Sequence, residues 1–98
     1  MRKGGYVYIL TNKNNSVLYV GVTSYLKNRI QQHKEKLYKN SFTSRYNIDK
    51  LIYFESFSDI RNAIDREKQL KAGSRKKKED LIKLENSDYK DLFDDCPE

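Results

Sequence analysis

The sequence has 98 residues, of which 35% are charged and 37% hydrophobic, a length and composition that suit one small domain, 1–98, with a modest core. Its one cysteine, Cys96, excludes a disulfide framework and a cysteine-based metal site, and we expect Cys96 to be solvated near the C-terminus. No apolar run is long enough to span a bilayer and none follows the basic N-terminus, so we expect a cytoplasmic protein that does not bind membranes.

The charge is distributed unevenly along the chain. Residues 1–78 carry 18 Lys or Arg against 6 Asp or Glu, whereas residues 79–98 carry 2 against 8. A basic body with interleaved aromatic residues is typical of a protein that binds nucleic acid, although a basic surface also serves solubility alone. The acidic tail, about residues 86–98, either folds back over the basic surface or is solvated.

Two short runs near the N-terminus predict a β-hairpin. Residues 5–10, GYVYIL, and 17–22, VLYVGV, are rich in β-branched and aromatic residues, and a polar turn cluster separates them. If residues 12–15 form the loop, Tyr8 lies directly opposite Tyr19. Side chains directly opposite in an antiparallel pair share one face, so this register predicts two phenols side by side.

A helix follows the hairpin. Thr23 or Ser24 is a suitable N-cap, and the helix is predicted to run to about residue 36 or 37. Arg29 and His33 lie on or beside its apolar stripe. That stripe consists of Leu26, Ile30 and Leu37.

A basic, polar loop at 38–50 and a third strand at 51–57 come next. Ser58 then predicts the N-cap of a second helix that runs to about residue 71. Glu67 occupies a position on the apolar stripe of this helix, and a carboxylate there is costly unless it is paired, protonated or bound to a metal. The other members of the stripe are Ile60, Ala63, Ile64 and Leu70.

A third helix, 75–85, is predicted between the boundary signals Gly73 and Ser74 and the acidic tail. Its apolar side consists of Leu81, Ile82 and Leu84, and the tail residues expected to dock on the body are Tyr89, Leu92 and Phe93. The order β-β-α-β-α-α predicts an α+β fold, in which a small three-stranded antiparallel sheet is flanked by helices.

Taken singly, the polar residues at these positions all have structural explanations. Paired tyrosines on a strand pack against each other, an arginine beside a helix stripe extends its stem along the core edge, a lone histidine is usually structural, and a glutamate on an apolar face is usually paired with arginine.

Taken together, these residues resemble the GIY-YIG nuclease family. The matching elements, in chain order, are YVY at 6–8, YVG at 19–21, R-x-x-x-H at 29–33, REKQLK at 66–71 and the YKDLF ending at 89–93. The resemblance therefore covers nearly the whole chain and is strongest to the short stand-alone bacterial members. The first motif departs from the family signature, since Tyr6 stands where the signature has glycine, but its third position, Tyr8, is kept.

The resemblance implies roles for the hairpin residues. Tyr8 matches a general base that activates the attacking water, and Tyr19 matches a partner that orients the water or contacts phosphate. Gly21 matches a position at which a side chain would block the approach of the phosphate backbone. An unperturbed phenol has a pKa near ~10, so Tyr8 would need Arg29 and the metal to favour its phenolate.

The resemblance also implies roles for three helical residues. Arg29 matches the arginine that stabilises charge on the phosphoryl group, and its planar donor fork suits phosphate. His33 matches a position that assists proton transfer, and either His33 or Tyr8 is the final proton acceptor. Glu67 matches the sole protein ligand of one metal ion, Mg²⁺ or Mn²⁺, which prefers oxygen ligands and retains several waters.

Further basic and aromatic residues are candidates for nucleic-acid contacts, although the basic run at 75–78 also suits a solvated helix face. These candidates are Lys27, Lys34, Arg45, Tyr46, Arg75, Lys76, Lys77 and Lys78.

The implied function is metal-dependent endonuclease activity on DNA, which is favoured over RNA, in repair or recombination. The DNA would be branched, damaged or single-stranded, and specificity would be low, directed by DNA structure, or supplied by a protein partner. One alternative is a non-catalytic nucleic-acid-binding module, and another is a protein-interaction module that uses the acidic tail.

Overall fold

The computed structural model describes residues 3–97 and confirms the predicted α+β class and the order of the main elements. These are β1 (Gly5–Thr11), β2 (Leu18–Thr23), α1 (Leu26–Lys34), α2 (Phe42–Arg45), β3 (Lys50–Phe57), α3 (Ile60–Ala72), α4 (Arg75–Glu85) and a 3₁₀ turn at Phe93–Asp95. The strands form one antiparallel sheet in the order β2-β1-β3. The short helix α2 lies inside the segment predicted to be a loop. Within residues 3–97, no helix has both the length and the apolarity needed to cross a bilayer.

The sheet has two faces of different chemistry, because successive residues of a strand point to opposite sides. Val7, Ile9 and Val20 lie on the apolar face, where they form one core cluster with residues of α3 and α4. Tyr8 and Tyr19 lie on the other face, here called the tyrosine face, which packs against α1 and part of the C-terminal segment.

The hairpin register differs from the predicted one by two residues. Tyr8 pairs with Gly21, and Tyr19 pairs with Leu10, so the predicted pairing of Tyr8 with Tyr19 is wrong. The loop has six residues, 12–17, because Asn12 forms two hydrogen bonds with Ser16 and thereby closes a longer turn. A shift of two residues preserves the face of each side chain, so the two tyrosines still share one face, with ring centroids 6.4 Å apart.

Helix α1 is shorter than predicted at both ends. Its N-cap is Tyr25, not Thr23 or Ser24, and the Thr23 hydroxyl instead accepts a hydrogen bond from the Tyr25 backbone N–H. At the other end Lys36 adopts a left-handed conformation with φ of 53°, which helices do not continue through. Leu37 is consequently 56% exposed, so its prediction as a core position is wrong.

The ends of α3 and α4 follow simple capping chemistry. Asp59, not Ser58, caps α3, because its carboxylate accepts from the Arg61 backbone N–H. The Gly73 and Ser74 boundary is confirmed, since the Ser74 hydroxyl accepts from the Lys77 N–H.

Two predicted apolar positions on these helices are exposed instead. Ile64 is 36% exposed and Leu84 is 82% exposed, because α3 is buried through Ala63 and Leu70, and α4 through Ile82.

The C-terminal segment folds onto the outer edge of β3. Leu92 N donates to Leu51 O at 2.7 Å, and the buried Asn86 amide donates to Ile52 O at 3.0 Å. Cys96 is buried in the core cluster of the tyrosine face, so the expectation that it is solvated is wrong. Because exposed strand edges invite pairing with other chains, this segment protects the sheet. It also places Asn86 at the β3 edge.

Candidate active site

A buried tyrosine lies at the centre of the candidate site. The Tyr8 hydroxyl is 3.2 Å from His33 Nε2, and only 1% of Tyr8 is exposed. The His33 ring lies edge-on to both Tyr8 and Tyr19, with centroids 6.0 and 5.8 Å away. Strands β1 and β2 therefore supply the two phenols, and α1 supplies the imidazole that lies beside both.

His33 is held from its other side by Thr43 of α2. His33 Nδ1 is 3.0 Å from the Thr43 hydroxyl, which is buried and lies 3.3 Å from the Ser41 hydroxyl. With the proton on Nδ1 donated to Thr43, Nε2 is free to accept from the Tyr8 O–H. Each hydrogen bond in the series Tyr8–His33–Thr43 then has a donor and an acceptor.

The pKa shifts agree with this arrangement. Burial, aided by the positive charge of Arg29, lowers the pKa of His33 below its ordinary value of 6.5. Burial, together with Tyr19, raises the pKa of the Tyr8 phenol, and this outweighs the opposing effect of Arg29. The effect of Arg29 therefore has the expected direction but does not produce a phenolate, and at neutral pH a neutral phenol faces a neutral imidazole.

Gly21 leaves the space that the Tyr8 ring occupies. A Cβ atom added at Gly21 would lie 2.4 Å from both the hydroxyl and the Cζ of Tyr8, which is far inside van der Waals contact. The structure thus shows a packing role for this glycine. Its missing side chain admits the Tyr8 phenol, which lies directly across the hairpin.

Beside these residues is an open cleft of about 190 Å³. Its lining includes Tyr19, His33 and the exposed Arg29, and its far wall comes from the segment 36–44. Arg29 lies close enough to the Tyr8 phenol to affect its pKa. An anionic group that enters the cleft would therefore meet a guanidinium, a phenol and an imidazole.

Glu67 approaches the site from α3. Its side chain is 17% exposed, and its Oε2 is 3.6 Å from the Lys71 ammonium. The partner of this carboxylate is therefore a lysine, where the sequence had suggested an arginine. Its negative charge contributes to the raised pKa of Tyr8, so the carboxylate lies within electrostatic range of the phenol. Among residues 3–97 no cluster of three or more His, Cys, Asp or Glu side chains could hold a metal ion. The donor set here is one carboxylate, which suits a hard cation that retains most of its water.

Most of the basic residues proposed to contact nucleic acid have partners within the protein. Lys27 donates to Phe93 O at 2.9 Å, and Lys34 pairs with Asp91 at 2.5 Å. Both lysines therefore hold the C-terminal segment on the body.

The basic run at the start of α4 is similarly engaged. Arg75 donates to Asn15 O and Ser16 O of the hairpin loop, and Lys76 pairs with Asp80. Lys78 donates to the carbonyl oxygen of Gly73, the C-cap of α3, whereas Lys77 is exposed. Arg45 and Tyr46 are exposed as well, and the Tyr46 ring lies 4.9 Å from that of Phe42.

Thr43 and Ser41 are the site residues that sequence reasoning missed. They lie in a polar loop where no periodic pattern singles out one hydroxyl from another. The sequence did offer one signal, because serine is a common helix N-cap and Ser41 directly precedes α2. In the structure the Ser41 hydroxyl accepts from the Ser44 N–H. That cap would have predicted α2, although not its contact with His33.

Comparison with known proteins identifies the family. The model of the GIY-YIG catalytic domain matches residues 4–80, most of the chain. The chain belongs to the GIY-YIG family. All of the hairpin, α1 and α3 residues described above fall inside the matched region, and the domain is of nuclease type.

Two relatives and one solved structure extend the comparison. The chain is 35% identical over 78 residues to a UPF0213 protein of Syntrophus aciditrophicus, covering 80% of this chain and 88% of the relative. It is 40% identical over 77 residues to a UPF0213 protein of Clostridium perfringens, covering 79% and 81%. The solution NMR structure of a UPF0213 protein from Bacillus halodurans aligns with a TM-score of 0.56 and 30% identity, covering 91% of this chain and 93% of that one. The chain is therefore similar to these three proteins over most of the length of each.

Proposed function

We propose that this protein is a metal-dependent endonuclease that hydrolyses phosphodiester bonds in DNA. The observation that carries the proposal is the hydrogen-bonded chain from Tyr8 through His33 to Thr43, which opens beside a cleft lined by Arg29. A structural core has no need of a neutral acceptor, a phenol and a guanidinium around one opening. Phosphodiester hydrolysis needs a proton acceptor for water and positive charge for the phosphate.

The proposed proton path follows the hydrogen bond between Tyr8 and His33, and the directions of the two pKa shifts agree with it. As water attacks phosphorus, its proton passes to the Tyr8 oxygen while the Tyr8 proton passes to His33 Nε2. This relay avoids a free phenolate, which the raised pKa of Tyr8 disfavours. The lowered pKa of His33 keeps its imidazole neutral and ready to accept at neutral pH. His33 is then the final proton acceptor, and its Nδ1 lies 3.0 Å from the Thr43 hydroxyl, which can accept the Nδ1 proton.

Arg29 and Tyr19 would act on the phosphate itself. The Arg29 guanidinium is exposed to the cleft, where its planar donors can pair with two non-bridging oxygens. The Tyr19 hydroxyl lies on the same side and can donate to phosphate or to the attacking water.

Glu67 would hold the metal ion. The single half-buried carboxylate fits Mg²⁺ or Mn²⁺ better than a cation that requires several protein ligands. When bound, such an ion supplies positive charge that stabilises the leaving oxygen. The Lys71 ammonium lies 3.6 Å from this carboxylate in an i,i+4 pair, and a cation bound at Glu67 would compete with it.

The test is a titration of Mg²⁺ and Mn²⁺ with supercoiled plasmid and a branched oligonucleotide. Wild type is compared with Glu67→Ala and with Asp65→Ala, a matched control that removes an exposed carboxylate from the same helix. We expect metal-dependent nicking by wild type and Asp65→Ala, and none by Glu67→Ala, although Glu67→Ala still binds DNA.

Other outcomes would overturn this proposal. Binding without cleavage in all three proteins would indicate a non-catalytic nucleic-acid-binding module. Cleavage that survives in Glu67→Ala would show that the metal has a different ligand. Faster cleavage of an RNA substrate than of DNA, measured in parallel, would show that RNA is the preferred substrate.

A further inference from the structure

A cluster of exposed aromatic side chains lies beside the cleft. Tyr38, Phe42 and Tyr46 are 65%, 53% and 51% exposed, and we call these three residues the aromatic surface. Phe42 begins α2 and Tyr46 caps its C-terminal end, and their ring centroids lie 4.9 Å apart. Grouped exposed rings of this kind mark an interaction surface, in contrast to single exposed apolar residues.

The aromatic surface is continuous with the candidate active site. Tyr38 and Phe42 line the same cleft as Arg29 and His33. Helix α2 turns Thr43 inward to bond His33, while its neighbour Phe42 faces outward. A ligand that occupies the cleft would therefore contact the rings of Tyr38 and Phe42, and the segment that carries them is anchored to His33 through Thr43.

The charge of this segment selects an anionic ligand. Residues 36–48 include Lys36, Lys39 and Arg45 and no Asp or Glu. The Lys36 side chain donates to Asn47, whereas the side chains of Lys39 and Arg45 make no hydrogen bond or ion pair with other residues in the described range 3–97. These cations differ in this respect from most of the basic run on α4, whose side chains already have internal partners.

An anionic ligand with flat apolar groups matches both features. Aromatic side chains stack on bases, but only where the base faces are exposed, as they are in unpaired nucleotides and not inside a duplex. We infer that the aromatic surface stacks unpaired bases of a DNA strand whose phosphate lies in the Arg29 cleft. The substrate class is therefore DNA with unpaired nucleotides next to the bond to be cut. The inference rests on the proposed function for its choice of DNA.

The experiment measures binding in EDTA, so that its result does not depend on cleavage. Fluorescence anisotropy compares a short labelled single strand with the duplex of the same sequence. We expect wild type to bind the single strand more tightly, and Phe42→Ala/Tyr46→Ala to lose about tenfold of that affinity with little change for duplex. Tyr25→Ala, which removes an equally exposed tyrosine at 56%, is the matched control and should bind as wild type does.

A second variant and a second signal distinguish the loss of stacking from misfolding of α2. Tyr38→Ala lies outside that helix and should also weaken single-strand binding. A 2-aminopurine base in the strand should lose fluorescence on binding wild type, because stacking quenches it, and lose less with either variant.

Three results would overturn the inference. These are equal or tighter binding of duplex by wild type, equal losses for single strand and duplex in the ring variants, and the same loss in Tyr25→Ala. Absence of nuclease activity, with ring-dependent binding of single strand retained, would overturn only the proposed function.

Discussion

Strand β1 sends Val7 and Ile9 to the apolar face and Tyr8 to the tyrosine face, from adjacent positions. On the apolar face the side chains are fully buried and meet aliphatic groups from α3 and α4. On the tyrosine face Tyr8 is equally buried, yet its hydroxyl contacts a histidine and its pKa is affected by an arginine. The comparison teaches that burial alone does not separate structural from functional residues. Structural and functional residues are separated here by the polarity of the groups around each buried side chain.

Substitutions on the two faces should affect different properties, the cleavage rate on the tyrosine face and the stability on the apolar face. These are the largest effects expected. His33→Ala removes the proton acceptor and should slow DNA cleavage by about 10²- to 10⁴-fold. Ile9→Ala leaves a cavity and should cost about 2–5 kcal/mol of unfolding free energy, with the cleavage rate per folded molecule unchanged. Cleavage kinetics and urea denaturation measure the two quantities.

The comparison would fail if Ile9→Ala, in its folded fraction, were as inactive as His33→Ala. It would also fail if His33→Ala cleaved DNA at the wild-type rate.

A glycine pair tests how tightly the tyrosine face is packed. Gly21→Ala places a Cβ 2.4 Å from the Tyr8 hydroxyl, so it should displace that phenol, cost about 1–3 kcal/mol of stability and reduce cleavage. Gly73→Ala is the matched control, because its Cβ would meet nothing closer than 3.5 Å and its φ is −76°. We expect it to be neutral or stabilising by up to about 1 kcal/mol. Thermal melting of both variants, followed by cleavage assays, decides this. A neutral Gly21→Ala would contradict the packing.

The C-terminal segment covers part of the tyrosine face, and Asn86 holds it there. Asn86→Ala leaves the Lys90 N–H and the Ile52 carbonyl without their partner and should cost about 1–3 kcal/mol. Hydrogen exchange should then rise at Leu92, whose N–H bonds to Leu51. Unchanged protection of Leu92 in this variant would show that the segment is held by other contacts.

The smallest expected effect is the pH dependence of stability. His33 has a lowered pKa when folded, so the unfolded chain takes up a proton first, near pH 6.5. This contribution to stability is fully present above pH 6.5 and falls as the pH drops through the folded-state pKa. Urea denaturation of wild type and His33→Asn between about pH 5 and 8, a range that brackets the ordinary histidine pKa, should show a steeper decline towards low pH in wild type. Parallel curves would contradict the lowered pKa.

The fold could be predicted well because its signals are local. Alternating apolar residues fixed the strands, and Gly73 with Ser74 fixed the boundary between α3 and α4. The hairpin register was missed because it depends on side-chain bonds within the loop, between Asn12 and Ser16, that periodicity does not encode. The burial of Cys96 was missed because it depends on where the distant C-terminal segment docks.

The candidate site was predictable only in part. Order and spacing drew attention to Tyr8, Arg29 and His33. In the structure Arg29 and His33 line one cleft, and the Tyr8 hydroxyl contacts His33. Thr43 was not predictable, because its contact with His33 spans ten residues of irregular chain. The partners of Lys34 and Arg75 were equally hidden, since each pairs with residues far along the sequence.

The most direct test of the central claim is single-turnover DNA cleavage by Tyr8→Phe beside Tyr53→Phe. Both substitutions remove one hydroxyl from a buried tyrosine, but Tyr53 belongs to the cluster of the apolar face and bonds Glu55. If Tyr8 relays the proton from water to His33, Tyr8→Phe should lose at least about 10²-fold in rate while it still folds and binds DNA, and Tyr53→Phe should keep its rate. Cleavage by Tyr8→Phe at the rate of Tyr53→Phe would contradict the relay and remove the tyrosine face from the reaction.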